Sequence, residues 1–206
     1  MSVNGIVLAG GKGVRLGHNK VLETVGSRSL LQRAVLSLSF LKSDIIIVAA
    51  AKQSLLQLID YPKLKVVTDI YPGKGPLGGV YTGLKASRSF YNLVVACDLP
   101  FLNQALLRYM IQVSAGFDLV VPRLGSFVEP LHAIYSEGCL AAIEDMLKQG
   151  NLSVHELLTL VRVRYVETEE IDRFDPRRLS FFNINTEANL EKARRLARRE
   201  PGNDKC

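Results

Sequence analysis

Five short runs rich in valine, isoleucine and leucine recur along the chain: Val3 to Ala9, Asp44 to Ala50, Leu64 to Thr68, Tyr91 to Cys97 and Asp118 to Val121. Near-continuous apolar runs of this length suit strands covered on both faces. Between them lie helical patterns with readable starts. Ser29 and Gln32 make a capping box ahead of Leu31, Ala34, Val35, Leu38 and Leu41. Asn103 can cap a helix carrying Leu106, Leu107, Met110 and Ile111. A third helix is expected at about Glu137 to Leu147, and Ser153 with Glu156 opens a short fourth. Repeated strand–helix units imply a mostly parallel sheet with helices on both faces, a three-layer α/β domain. No Pro/Gly/Ser linker and no internal repeat divides the 206 residues. The expectation is one domain over residues 1–200, followed by a short polar tail, 201–206.

In such a sheet ligands bind beyond the carboxyl ends of the strands. The residues just after each strand therefore matter most. The third strand is followed by Asp69 and the fourth by Asp98, Leu99 and Pro100. The first empties into "LAGGKGVRLGHNK", where glycines 10, 11, 13 and 17 alternate with Lys12, Arg15 and Lys20. Glycine lets the main chain approach a phosphate group, its N–H groups meet the oxygens, and the cations offset the charge.

Several explanations compete for these glycines. A Walker A loop is excluded, because Lys12 is followed by Gly13 and Lys20 is preceded by Asn19. A dinucleotide fingerprint fails in the first loop, where the third required position falls on Leu16. It matches in "YPGKGPLGG", at Gly73, Gly75 and Gly78, with Asp98 about 20 residues further on. Against it, Tyr71 and Pro72 stand between strand and glycines, whereas the fingerprint wants its turn directly after the strand. The plain alternative for either cluster is a set of tight turns.

Composition narrows the class further. The longest apolar run, Ile45 to Ala51, is far short of the roughly 20 residues that span a bilayer. The N-terminus lacks the basic flank and apolar core of a signal peptide. Cys97, Cys139 and Cys206 are odd in number, widely spaced and without a CxxC pair, as expected of free thiols in a reducing cytoplasm. The net charge is +6, and six Lys or Arg against three Asp or Glu lie between Leu190 and Cys206. Clustered cations can serve nucleic acid. Here no aromatic interleaves the arginines, while Leu190, Ala193, Leu196 and Ala197 share one helical face. The solvated side of a terminal helix is the reading adopted, with no nucleic-acid or membrane partner.

The opening loop resembles the signature of nucleotidyltransferases of the molybdenum cofactor guanylyltransferase type. "GPLGGVYTGL" (75–84), "ACDLPF" (96–101), "EPLHAIY" (129–135) and "FFNINT" (181–186) follow in that family's order, so the likeness runs from Gly5 to about Leu190. It implies a Rossmann-like fold of the nucleotide-diphospho-sugar transferase type. It implies a reaction too: GMP passes from GTP to the phosphate of molybdenum-molybdopterin, giving molybdopterin guanine dinucleotide and pyrophosphate. Carried over residue by residue, Leu8, Ala9, Gly10 and Gly11 would meet the nucleotide with their main chain. Arg15 and Lys20 would hold the phosphates, Asp69 would help bind GTP, and Asp98 would carry Mg²⁺. Asn183 and Asn185 would line the acceptor side. Molybdoenzymes or their chaperones are candidate partners. A cytidylyltransferase making the cytosine dinucleotide form or another small NTP-dependent nucleotidyltransferase is the alternative, with a non-catalytic nucleotide-binding regulator more distant.

The residue types suit that chemistry. A phosphate monoester has its second pKa near ~6, so the nucleophile is already anionic at neutral pH and needs no general base. Neither His18, in the loop, nor His155, near a helix cap, is placed as one. His132, among apolar neighbours, is expected to be hydrogen-bonded near the acceptor or in the core rather than catalytic. What transfer needs is in-line positioning and charge neutralisation. Ala49 to Ala51 have no side-chain donors, so base recognition would fall to the main chain around Leu8 to Gly10.

Overall fold

The protein is described by a computed structural model over residues 2–10, 20–50 and 59–199. Its strands are β1 (Val3–Leu8), β2 (Thr24–Val25), β3 (Arg28–Ser29), β4 (Ile45–Ala49), β5 (Leu64–Thr68), β6 (Tyr91–Ala96), β7 (Leu119–Leu124), β8 (Phe127–Val128), β9 (His132–Ser136) and β10 (Val163–Val166). Its helices are α1 (Leu30–Leu38), α2 (Gly75–Ala86), α3 (Gln104–Gln112), α4 (Cys139–Lys148), α5 (Val154–Leu160), α6 (Thr168–Phe174) and α7 (Glu187–Arg199). The main sheet runs β10-β7-β9-β6-β1-β4-β5, with β8 paired to β7. β1 pairs in parallel with β4 and β6, β4 with β5, and β7 with β10. The five strands expected from the apolar runs are all present.

The sheet is mixed because β9 lies antiparallel between β6 and β7. The cause is local. Leu124 pairs with Phe127 across Gly125 and Ser126, a two-residue hairpin with Gly125 at φ 61°. The chain is thereby turned back before "HAIYS" enters the sheet, so a fully buried strand arrives in the reverse sense.

Alternate residues of the strands feed two cores. Val7, Ile47 and Val95 pack with Leu31, Ala34 and Val35 of α1, Leu106, Leu107 and Met110 of α3, and Ile171 of α6. Ile6, Ile46 and Val94 pack on the other face with Leu77, Val80 and Leu84 of α2, Ile143, Met146 and Leu147 of α4, and Leu157 of α5. Three layers result, as expected. The expected caps form: Ser29 and Gln32 close their capping box, Asn103 accepts from the N–H groups of Ala105 and Leu106, and Ser153 accepts from Glu156 N.

The second glycine cluster, matched by the dinucleotide pattern, builds a helix instead. Pro76 occupies the first turn of α2, and a Cβ at Gly83 would lie 2.5 Å from Ile6 Cγ2. A Cβ at Gly78 would lie 2.9 Å from Tyr71 O. Gly78 and Gly83 let α2 press against β1 and the turn after β5, whereas Gly73 and Gly75 take φ of 81° and 67° at the entry to the helix, so close packing accounts for the first two and a tight turn for the others.

A small third cluster joins Val25, Leu30, Ile184, Leu190 and Ala193. It fastens the C-terminal segment and α7 to the β2–β3 ribbon. Burying a side chain such as Ile184 is worth about 2–3 kcal/mol, and it fixes the flanking Asn183 and Asn185 near the end of β6. α7 keeps Leu190 and Ala193 inward, while Arg194 bonds Thr24 O at 3.1 Å, Glu23 at 3.3 Å and Glu191 at 2.7 Å. That arginine serves as an anchor for the helix. No helix among the described residues is long and apolar enough to cross a membrane.

Candidate active site

Asp98 follows β6 at the carboxyl edge, and main-chain bonds hold it from three sides. Cys97 N donates to Leu8 O at 3.2 Å, Ala96 N to Leu131 O at 2.9 Å, and Ile184 N to Asp98 O at 3.1 Å. Lys20 begins a short 3₁₀ turn, Lys20–Leu22, anchored by buried Val21. Its ammonium donates to Asp98 Oδ2 at 2.8 Å and to Asn185 Oδ1 at 3.2 Å. Three residues singled out in the sequence, 78 and 165 positions from Lys20, are thus brought to one point.

Asp98 Oδ1 is buried and has no hydrogen-bond partner among the described residues. Buried acceptors are normally paired, so this oxygen is one the protein itself does not satisfy. A hard anionic oxygen fits Mg²⁺, which commonly takes one or two carboxylates and completes its shell with water and phosphate oxygens. No group of three or more His, Cys, Asp or Glu among the described residues could hold an ion unaided. The donor set therefore fits a metal that arrives with phosphate oxygens.

On the β1 side, two of the main-chain groups expected to meet a nucleotide already serve the sheet. Leu8 O accepts from Cys97 N, and Ala9 N donates to Val48 O at 2.9 Å. Gly10 is exposed just past the sheet edge. Asp69 is held as a turn residue: its Oδ1 accepts from Tyr71 N at 3.0 Å and from Thr82 Oγ1 at 2.9 Å. It sits at the end of β5, three strand spacings or about 14 Å from the end of β6. Gly11 and Arg15, with the rest of the loop through Asn19, lie outside the described residues.

The β9 side holds one residue that the sequence does not single out, Glu129, beside two that it does, His132 and Asn183. Glu129, in the turn between β8 and β9, is half-buried. Burial pushes its carboxyl above the usual range, with the nearby Asp98 charge adding to the effect. His132 is fully buried on β9, and its ring lies 5.2 Å from that of Phe181. Desolvation lowers its pKa to about 4, leaving it neutral at pH 7. The hydrogen bond expected for it is absent: neither ring nitrogen has a partner among the described residues. Asn183 Oδ1 is likewise buried and unpartnered, while its main-chain oxygen accepts from Asn189 Nδ2 at 3.1 Å. Glu129 was recognisable only as a carboxylate inside "EPLHAIY"; without the hairpin there was no reason to bring it to the end of β6. Cys97 and Cys139 are buried thiols whose pKa values are pushed up to about 12, so neither is a nucleophile.

Comparison with known proteins agrees with this geometry. The family described as MobA-like NTP transferase domain matches residues 5–164. A probable molybdenum cofactor guanylyltransferase of Pelotomaculum thermopropionicum is 38% identical, over 96% of this chain and 94% of the relative. A molybdenum cofactor guanylyltransferase of Desulfosudis oleivorans is 35% identical, over 93% and 94%. Among solved structures, molybdopterin-guanine dinucleotide biosynthesis protein A from Archaeoglobus fulgidus superposes with a TM-score of 0.82 at 26% identity, covering 96% of this chain and all of that one.

Proposed function

The chain belongs to the MobA-like NTP transferase family, and from that premise we propose that it is a molybdenum cofactor guanylyltransferase. It transfers GMP from GTP to the terminal phosphate of molybdenum-molybdopterin, with residues 1–200 as the transferase domain. The observation that carries the reading is the convergence of Lys20, Asp98 and Asn185, with Asp98 Oδ1 left unsatisfied.

An oxygen of the acceptor's phosphate attacks the α-phosphorus of GTP. A new P–O bond forms, the bond to the β-phosphate breaks, and pyrophosphate leaves. The phosphate is already ionised, so the work left to the protein is alignment and charge neutralisation. Lys20 moves its positive charge from Asp98 toward the phosphates as they bind, and Arg15 joins it. Asp98, with phosphate oxygens, would hold Mg²⁺, which supplies charge withdrawal from the α-phosphate. The nucleotide lies over the ends of β1, β4 and β5, with Leu8 to Gly10 and Asp69 beneath it. The acceptor lies on the other side of Asp98, against Asn183 and Asn185. His132, buried and neutral, takes no proton in this scheme. The reaction is placed in the cytoplasm, with molybdoenzymes or their chaperones as recipients of the product.

The test is direct. The protein is incubated with Mg²⁺, molybdenum-loaded molybdopterin and each of four nucleoside triphosphates, and products are identified by mass. Guanine dinucleotide and equimolar pyrophosphate are expected. Absence of any dinucleotide overturns the reading.

A further inference from the structure

Glu129 is a carboxylate placed where a carboxylate is costly. The antiparallel pairing of β6 with β9, continued by Ala96 N donating to Leu131 O, brings it alongside Asp98, where the two like charges disfavour one another. Among the described residues no cation pairs with it, and its only side-chain hydrogen bond comes from Leu131 N, 3.2 Å from Oε1. Its position is nevertheless fixed. Glu129 N donates to Pro122 O at 3.2 Å, His132 N donates to Glu129 O at 3.3 Å, and Leu131 O takes the Ala96 N–H two residues before Asp98. The Tyr135 hydroxyl holds the next residue through Pro130 O at 2.9 Å. A rigid, half-buried, unpaired acid beside a second acid is an arrangement that packing alone does not explain.

We propose that Glu129 reads the pterin ring of the acceptor, its carboxylate accepting hydrogen bonds from the ring's exocyclic amine and the adjacent ring N–H. This rests on the guanylyl-transfer reading and names how the second substrate is recognised. A planar pair of N–H donors matches the two oxygens of a carboxylate, and a charged acceptor makes the stronger bond. Asn183 supplies a further acceptor on the same side: Phe181, two residues before it, packs against His132 of β9, and its Oδ1 is buried and unpartnered. A ligand rich in donors answers both.

Guanine presents a similar donor edge, so sides must be distinguished. In the order β10-β7-β9-β6-β1-β4-β5, Asp98 ends β6 and Glu129 precedes β9. Gly10 and Asp69 stand just past β1 and β5, across β6 from Glu129. One residue cannot serve a base bound over β4 and also flank β9. The acceptor's ring is therefore the group within its reach.

The test uses Glu129→Gln, which keeps the Leu131 N–H acceptor but offers an amide N–H₂ to the ring's donors. Affinity for molybdopterin, and for a simple pterin lacking the phosphate, is measured by pterin fluorescence. Both dissociation constants should rise at least tenfold, while the KM for GTP and the Mg²⁺ activation curve stay within twofold. The melting temperature should hold or rise, because a buried charge has been removed. Unchanged pterin affinity overturns the inference and leaves guanylyl transfer standing; absence of dinucleotide from the wild-type protein overturns that reading separately. A raised KM for GTP would assign Glu129 to guanine, and a raised Mg²⁺ requirement would assign it to the metal, either result defeating the proposal. If the glutamine variant does not fold, Glu129→Asp, which withdraws the carboxylate by one methylene, carries the same comparison.

Discussion

Lys20 Nζ stands 2.8 Å from Asp98 Oδ2, an ion pair whose side chains are only 17% and 20% exposed. It joins the turn that ends the first glycine loop to the end of a central strand. Pairs this far from water are stabilising only while both partners remain. Each charge offsets the other in this structure; under the proposed function the ammonium turns to phosphate and the carboxylate to a metal when the nucleotide binds.

Lys20→Met should therefore do two things. It strips Asp98 of its counter-charge, lowering stability by about 1–3 kcal/mol. It also slows guanylyl transfer by about 10²-fold or more at saturating GTP, if the ammonium acts in the transition state. Asp98→Asn, measured in the same assay on folded protein, should abolish turnover. Near-wild-type turnover in either variant would remove that residue from the mechanism.

Asp69 separates charge from turn geometry. Its Oδ1 bonds Tyr71 N and Thr82 Oγ1, so Asp69→Ala should unfold at lower denaturant, by about 1–2 kcal/mol. Asp69→Asn keeps an acceptor at that atom and should retain the stability. If the carboxylate also meets the nucleotide, Asp69→Asn raises the KM for GTP severalfold. An unchanged KM with unchanged stability would leave Asp69 a turn residue alone.

The strands that run apolar for most of their length were legible in sequence, and so were Ser29, Asn103 and Ser153 as caps, because each rests on local periodicity or local hydrogen bonding. Asp98 was legible as a strand-end acid. Its partner Lys20 could be singled out, but the pairing itself comes from β1 and β6 lying side by side. β9 was missed although Gly125–Ser126 is a hairpin signal, since one antiparallel strand among parallel ones is set by a two-residue turn. α2 was missed because its glycines weaken helix propensity; they are there to let Ile6 and Tyr71 approach. Glu129 was unread for the same reason as β9: its role depends on which strand the hairpin brings beside β6.

His132 predicts a pH dependence. Its folded pKa is about 4 against 6.5 for an exposed imidazole, chiefly through desolvation, with the Asp175 charge opposing. Between those values the unfolded chain binds more protons than the folded one. Stability is therefore fully present above about pH 6.5 and is lost as pH falls toward 4, by about 3 kcal/mol in all. His132→Leu should flatten that part of the profile in urea denaturation, leaving only the steeper loss below about pH 4.5 from paired carboxylates such as Asp118 and Glu170. An equal slope between pH 6.5 and 4.5 in both proteins would mean that His132 is hydrated or paired in solution.

Base selectivity tests how the nucleotide side is read. Ala49 ends β4 with no side-chain donor or acceptor, and Ala50 follows it exposed. Leu8 O and Ala9 N are already engaged by Cys97 N and Val48 O. A carbonyl oxygen has a second lone pair, so Leu8 O can still accept, whereas the Ala9 N–H is spent. Under the proposed function recognition falls on Leu8 O, Ala9 O and the main chain of Gly10, where among the described residues a Cβ would meet only Ala50 N, at 3.9 Å. Two carbonyls suit the N1–H and N2–H₂ donors of guanine, and the Gly10 N–H suits its O6. Cytosine presents an acceptor where guanine has N1–H, leaving carbonyls facing a lone pair. Each buried polar group so mismatched costs about 1–3 kcal/mol. Two such losses predict kcat/KM for GTP at least tenfold above CTP with the same acceptor. Comparable values would reduce the assignment to nucleotidyl transfer without a fixed base, and a preference for CTP would make the protein a cytidylyltransferase. Gly10→Ala, which adds bulk at the approach without altering the carbonyls, should lower kcat/KM for every triphosphate and leave their ratio in place.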